Sequence, residues 1–219
     1  MKLKTIASSS KGNAFILDNF LIDCGVKDVP EFEYILLTHV HGDHDGYFIE
    51  HLKKAKGWTT GENTFIEVME KHSIYEKLLL DKYIKPEDLN VKTLNLTHDK
   101  ACTGFLIKDS TNTYLHITDT AHVDLSSIEC NMLSIEANHD ISTLESCDYN
   151  DWLKSRIRNT HLNNEQAIDI AELVGAKKVN FIHMSENSND VETLELELFF
   201  RNVDFEYTIN GVIECEKIE

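Results

Sequence analysis

No run of about 18 apolar residues, the length that a membrane-crossing helix needs, occurs in this 219-residue chain, and nothing in it reads as a signal peptide. The expectation is a cytoplasmic protein with no membrane partner. No Cys-x-x-Cys pair occurs either: the five cysteines, Cys24, Cys102, Cys130, Cys147 and Cys215, are widely spaced and odd in number. That excludes a thiolate zinc site or dithiol redox motif and leaves buried thiols as the reading. Basic residues are scarce, 21 Lys and Arg against 38 Asp and Glu for a formal charge of −17, and they form no block. Such a chain repels a phosphate backbone, so nucleic acid is a disfavoured partner, whereas a small anion can still bind where a bound cation reverses the local charge. No fixed period recurs, which argues against a repeat architecture.

What is present is enough apolar sequence, 42%, to fill a core, and the length predicts one domain spanning residues 1–219. Residues 3–7, 14–17, 20–23 and 34–38 read as short strands, bounded by Gly12-Asn13, Asp18-Asn19, Gly25 and Pro30. Helical character follows over 46–56 and 62–80, with Ile66, Met69, Ile74, Leu78 and Leu79 as inward positions. After Pro86 the β pattern returns at 91–97, 102–108, 113–118 and 132–137. Asn163 as a cap, Gln166 three residues later and Gly175 near the stop predict a helix. A strand over 178–182, a helix over 191–200 and a closing β pair, 205–209 with 212–215, complete the chain. Two packed sheets, or a mixed sheet core with helices outside, suit this order of elements.

Ionisable residues stand at the ends of these apolar strands, where a rigid scaffold hands side chains to loops. Asp23 ends one, and His39 follows Ile35-Leu36-Leu37-Thr38. The segment His39-Val40-His41-Gly42-Asp43-His44 offers three imidazoles and a carboxylate. His39 and His41, two apart, can point the same way and serve one metal; Asp43 and His44 can serve a second. A lone histidine is normally a satisfied core or surface group. Four donors at this density read as a metal site rather than a charge-rich loop, and two tetrahedral ions require more ligands from elsewhere. His98, His161 and His183 sit in comparable settings near predicted element ends. Asp119, after Ile117-Thr118, either bridges two ions or caps the turn near Ala121.

His39-x-His41-x-Asp43-His44 resembles the defining motif of the metallo-β-lactamase superfamily, and Leu21-Ile22-Asp23-Cys24-Gly25 resembles its first motif. The resemblance implies an α/β fold, an αββα sandwich of two mixed β-sheets flanked by helices. It implies His39, His41 and His98 on one metal, Asp43, His44 and His183 on the other, and Asp119 between them. Asp23 then reads as an acceptor for a ligand imidazole. Four further segments are similar to a bacterial exonuclease-like branch: Ser8-Ser9-Ser10-Lys11-Gly12-Asn13, Glu136-Ala137-Asn138-His139-Asp140, His161-Leu162-Asn163-Asn164-Glu165-Gln166-Ala167 and His183-Met184-Ser185-Glu186-Asn187-Ser188-Asn189. The run 161–171 followed by His183-Met184-Ser185 is also similar to ribonuclease Z, in which the earlier histidine is a catalytic group beside the metals. The resemblance extends over residues 3–190. Asn163 replaces the branch's usual Ser and keeps the capping function. No Gly/Pro-rich insertion resembles the tRNA-grasping arm of ribonuclease Z, which counts against tRNA processing.

The implied activity is phosphodiester hydrolysis with two divalent ions, Zn2+ foremost because imidazole and carboxylate donors suit it, Mn2+ also being compatible. The implied attacking group is a hydroxide held between them, with Asp43 serving both as ligand and as part of the catalytic apparatus. His161 is the candidate proton donor to the leaving oxygen and Glu136 the carboxylate that holds its tautomer; the alternative is a structural histidine at a helix start. His139 and Ser185 are pocket candidates. The acidic chain favours a small phosphodiester such as a cyclic nucleotide, an activity of phage-encoded members of this branch. DNA exonuclease or RNA-processing activity is the alternative. A non-catalytic nucleotide-sequestering protein is a third reading, against which the complete ligand set argues. Related members pair, so a homodimer is expected.

Overall fold

The computed structural model of the protein describes residues 1–214, and alternation of side chains between two packed faces organises the first half of the chain. β1 (Lys2–Ser9), β2 (Gly12–Leu17) and β3 (Phe20–Ile22) are antiparallel neighbours, and β4 (Tyr34–Leu36) joins β3 in parallel. A helical turn, α1 (Gly42–Asp45), and α2 (Phe48–Lys54) lead to β5 (Gly57–Thr59), which pairs in parallel with β4. α3 (Glu62–Lys71) and α4 (Glu76–Lys82) follow. The second half supplies β6 (Val91–Leu96), β7 (Cys102–Lys108), β8 (Thr113–Ile117) and β9 (Met132–Glu136), then α5 (Ile141–Ser146), α6 (Asp151–Thr160) and α7 (Asn164–Leu173). It ends with β10 (Lys178–Ile182), α8 (Val191–Arg201), β11 (Glu206–Ile209) and β12 (Val212–Glu214).

Two mixed six-stranded sheets result, ordered β12-β1-β2-β3-β4-β5 and β11-β10-β9-β8-β7-β6. Between them lie Leu3, Phe15, Ile22 and Leu36 of the first sheet and Phe105, Tyr114, Met132 and Ile182 of the second. The outer face of the first sheet, through Leu21 and Ile35, is covered by Phe48 and Leu52 of α2, Val68 of α3 and Leu79 of α4. The outer face of the second, through Leu133, Ile135 and Phe181, is covered by Ala167 and Ile168 of α7 and by Leu194 and Leu198 of α8. This is the αββα order, each large buried side chain contributing roughly 1.5–3 kcal/mol by leaving water. β9 is buried at all its positions, as a parallel strand covered on both faces must be.

Several elements depart from the sequence reading. β11 and β12 do not close a pair: β11 joins β10, and β12 joins β1 in the other sheet. The crossing between sheets is held by Asn180, whose Oδ1 accepts from Gly211 N and Thr208 Oγ1. Ile66 is 52% exposed because α3 presents Thr64 and Val68 inward instead, and Ile74, 86% exposed, lies in the short turn Ser73–Tyr75 after it, which buries no residue. Cys24, Cys102 and Cys130 are buried free thiols, Cys147 is half-buried, and Cys215 lies outside the described residues. The helix after Asn163 forms with a full capping box, Asn163 and Gln166 each bonding the other's backbone N–H.

Glu197 of α8 provides a test of this packing. Its Oε2 is buried with no hydrogen-bond partner among the described residues. Burial first, then the nearby Asp140 and Glu165 carboxylates, push its pKa up from 4.5 to about 7. Between those values the folded chain holds a proton that the unfolded chain releases, so this contribution is fully present below 4.5 and is lost as pH rises through 7. Glu197→Gln is expected to flatten that decline and to raise stability at pH 8 by about 1 kcal/mol after allowance for solvent screening. Urea midpoints at pH 5 and pH 8 check it; an unchanged difference between them contradicts the assignment.

Candidate metal centre

Three strands end in residues whose backbone turns into the left-handed region: Asp23 after β3 (φ 61°), Asp119 beyond β8 (φ 49°) and His183 after β10 (φ 54°). For non-glycine residues this costs roughly 1–2 kcal/mol each, and such strain concentrates at functional sites. Here it turns each side chain out of its strand toward the others. Among the described residues no helix starts near Ala121 for Asp119 to cap. His39 follows β4, His98 follows β6, and Glu136 ends β9, so both sheets deliver donors to one place.

Two sets of donors draw on the segment 39–44, and a third, overlapping group gathers Asp119, Glu136, His161 and His183. His39 Nε2 lies 3.0 Å from His41 Nδ1, which lies 3.3 Å from His98 Nε2, and Asp119 Oδ2 is 3.7 Å from both His39 Nε2 and His98 Nε2. In the second set His44 Nε2 is 3.5 Å from Asp43 Oδ2 and 3.5 Å from Asp119 Oδ1, and His183 Nε2 is 3.7 Å from Asp43 Oδ2. Asp119 thus turns one carboxylate oxygen toward each set. His183 Nε2 is a buried nitrogen with no hydrogen-bond partner among the described residues, which is costly unless something binds it. A divalent cation satisfies that atom and the converging imidazoles, so the residues fit metal at both sets.

Other atoms of the same side chains are already bonded outward, which fixes the donor nitrogens. His44 Nδ1–H donates to Asp23 Oδ2 at 2.7 Å, His98 Nδ1–H to the Thr160 carbonyl at 3.0 Å, and His39 Nδ1–H to Thr38 Oγ1 at 3.0 Å. Thr38 Oγ1 in turn donates to Asp23. Burial alone depresses His44, but Asp119 and Asp23 more than offset it and raise its pKa well above the ordinary range. His183 is raised to about 10 against the effect of burial, chiefly by Asp119. Burial pushes Asp119 up, yet His183, His44 and His39 together hold its carboxyl well below the usual carboxylate range. The excess of carboxylate over available cation is what a divalent ion would neutralise.

Beside the second set, His161 Nδ1–H donates to Glu136 Oε2 at 2.9 Å. Glu136 Oε1 accepts from the backbone N–H of Thr120 and of Leu162. His161 is the C-cap of α6 as well as lying two residues before the cap of α7. A cavity of about 410 Å³ opens onto both donor sets and is walled by Tyr149, Leu153, Arg156, His161, Ser185 and Asn187. His139 is not among its lining residues; it is buried behind the wall, its carbonyl accepting from Asn164 N. A larger recess of about 850 Å³ elsewhere is bordered by one histidine, His51, and brings no donor set together.

The sequence reading gave no site role to Asn13, Asp99, Tyr149 or Arg156. Asn13 Nδ2 lies 2.9 Å from His44 Nε2 and 3.2 Å from Asp43 Oδ2. Gly25 is equally placed by this site: a Cβ there would sit 1.8 Å from the Asp43 carbonyl oxygen and 2.4 Å from Asn13 N. Backbone cannot yield that far without displacing Asp43 and His44. Gly25→Ala is expected to destabilise the fold by about 3 kcal/mol and to weaken metal binding at the second set, read by thermal denaturation and chelator competition. Wild-type values in both would overturn this account of the glycine.

Exodeoxyribonuclease WalJ of Streptococcus pneumoniae serotype 2 (strain D39 / NCTC 7466) is 28% identical, the alignment covering 86% of this chain and 83% of that protein. The metallo-beta-lactamase fold protein YhfI of Bacillus subtilis superposes with a TM-score of 0.69 at 19% identity, over 97% of this chain and 99% of that one. Human tRNase Z, short form, superposes with a TM-score of 0.63 at 17% identity, over 99% and 100%. At those identities the two structures establish the fold. The pattern of the family described as Beta-lactamase superfamily domain matches residues 19–184, most of the chain and both donor sets, and the chain belongs to that family.

Proposed function

We propose that this metal-dependent hydrolase cleaves phosphodiesters, with a small one such as a cyclic nucleotide as its substrate. The observation that carries the reading is the cavity of about 410 Å³, room for one nucleotide, lined by members of both donor sets and by His161, which Glu136 holds from behind. His39, His41, His98 and Asp119 would hold one ion; Asp43, His44, His183 and Asp119 would hold the other, Zn2+ or Mn2+ by donor chemistry. Two divalent ions bound there would supply an activated water near neutral pH and neutralise charge on phosphoryl oxygens. The chain's own residues do the rest. His161, with Nδ1–H on Glu136, presents Nε2 to the cavity, and in its protonated form it gives that proton to the departing oxygen. The Glu136 carboxylate stabilises the imidazolium before transfer and fixes its ring orientation.

Similarity to an exodeoxyribonuclease favours a second reading, in which the cavity takes the terminal nucleotide of a DNA strand. The charge of −17 weighs toward the small substrate. Turnover of cyclic purine and pyrimidine mononucleotides, double-stranded DNA with free ends, single-stranded DNA and structured RNA is to be measured side by side. A small substrate should lose less than about threefold in KM between 50 and 200 mM salt, whereas a polymer making several phosphate contacts loses about 10³-fold in affinity. DNA degradation from its ends without cyclic-nucleotide turnover would replace the first reading by the second. Elemental analysis is expected to give two ions per chain. A homodimer belongs to the same proposal and is read from the mass in solution at working concentration.

A further inference from the structure

α6 lines the cavity through Leu153, Arg156 and Ile157 and carries a cation that neither the donor sets nor the His161–Glu136 pair uses. Arg156 is the only Lys or Arg among the cavity's described lining residues, where Asp43, Asp119 and Glu186 supply negative charge. Its Nε–H and Nη2–H both donate to Asp99 Oδ2, at 3.2 and 2.6 Å. The other oxygen of that carboxylate, Oδ1, lies 3.3 Å from His41 Nε2 and 3.1 Å from His98 Nε2. One oxyanion therefore already spans the distance from the guanidinium to the edge of the first donor set.

We propose that Arg156 binds the substrate's phosphoryl group beside the first donor set, with Asp99 presetting the plane of the guanidinium. This rests on the phosphodiester reading. A guanidinium has five N–H donors in a fixed fork; bonding two of them to a single oxygen of Asp99 orients the plane while leaving Nη1 and the second Nη2–H for a ligand. The side chain is 35% exposed, open enough to receive an anion. Two non-bridging phosphoryl oxygens match that fork, whereas an ammonium acts there as a point charge. In a strongly acidic protein a fixed cation beside the metals is what attracts an anionic ester and orients it, and a neutral ester gains nothing from it.

The test uses the metal-loaded protein with Arg156→Gln and Arg156→Lys. The substrates are bis(4-nitrophenyl) phosphate and the best substrate of the panel above, and calorimetry measures binding of adenosine 5′-monophosphate. For Arg156→Gln the expected result is a KM and a nucleotide Kd raised about 10- to 100-fold, the range for a hydrogen bond to a charged group. kcat should stay within about threefold and metal content should not change. Arg156→Lys should recover part of the loss. An active wild type whose KM and Kd are unmoved in Arg156→Gln overturns the inference alone. Loss of metal from Arg156→Gln overturns it in favour of a structural role through Asp99 and His41. A wild type that cleaves no phosphodiester in the panel removes the reading on which it stands.

Discussion

Asp119→Ala is expected to leave at most one divalent ion per chain and to lower turnover by about 10³-fold or more, the scale seen when a group stabilising transition-state charge is removed. The expectation follows from the two directions of one carboxylate. Oδ2 faces His39 and His98 at 3.7 Å each, while Oδ1 is 3.5 Å from His44 Nε2 and 3.3 Å from His183 Nδ1. Removing any single imidazole weakens one set; removing this carboxylate weakens both and takes away the charge that the buried imidazoles share. Asp119→Asn isolates the second effect, since it keeps an oxygen donor without the charge. Elemental analysis and chelator competition separate metal loss from loss of chemistry. Full occupancy with full activity in Asp119→Ala would show that the carboxylate only supports the turn.

The short segment that feeds both donor sets, with its support at Asp23, was the most legible part of the chain. His39, His41, Asp43 and His44 fall within one short segment, and Asp23 precedes it at a strand end, where periodicity breaks in the sequence itself. What brings His98, Asp119 and His183 to that segment is not local. It depends on how β8, β9 and β10 lie in parallel in the second sheet and on the antiparallel pairing of β6 with β7 that places His98, a matter of long-range pairing that no window of the sequence records. Resemblance supplied those residues, and the left-handed turns at Asp119 and His183 explain how they are aimed.

α6 was illegible for a different reason. Its sequence, Asp151-Trp152-Leu153-Lys154-Ser155-Arg156-Ile157-Arg158-Asn159-Thr160, has too few apolar residues to display a helical stripe. Only Ile157 and Thr160 are buried. The usable signal was the cap: Asn150 accepts from Leu153 N, and Asp140 likewise caps α5 by accepting from Thr143 N. Missing α6 meant missing Arg156, the wall of the cavity and the fact that His161 closes this helix. β5 was missed because three residues, Gly57–Thr59, are too short to show an alternation. The separation of β11 from β12 was hidden because Asn210-Gly211 reads equally well as a hairpin turn and as a crossing between sheets.

His161→Ala is expected to lower kcat by about 10²- to 10⁴-fold, the usual contribution of a positioned proton donor, while both ions stay bound. The division of roles rests on where the ring's bonds go. His161 uses Nδ1–H on Glu136, and its position beside His98 and His183, with ring centroids 5.2 and 5.5 Å away, puts it next to the donor sets. Its removal leaves Glu136 buried with one partner fewer, which lowers stability by about 1–3 kcal/mol. Assays therefore belong well below the variant's melting temperature, with metal content measured on the same sample. A substrate with a good leaving group supplies the decisive comparison. If His161 delivers a proton to the departing oxygen, 4-nitrophenolate needs little help, and the defect on bis(4-nitrophenyl) phosphate should be far smaller than on a nucleotide ester with an alkoxide leaving group. Equal defects on both substrates, or loss of an ion from the second set, would make His161 a structural or ligating residue. Glu136→Gln should then reproduce part of the leaving-group dependence, because a neutral amide still accepts the Nδ1–H bond but no longer stabilises the imidazolium.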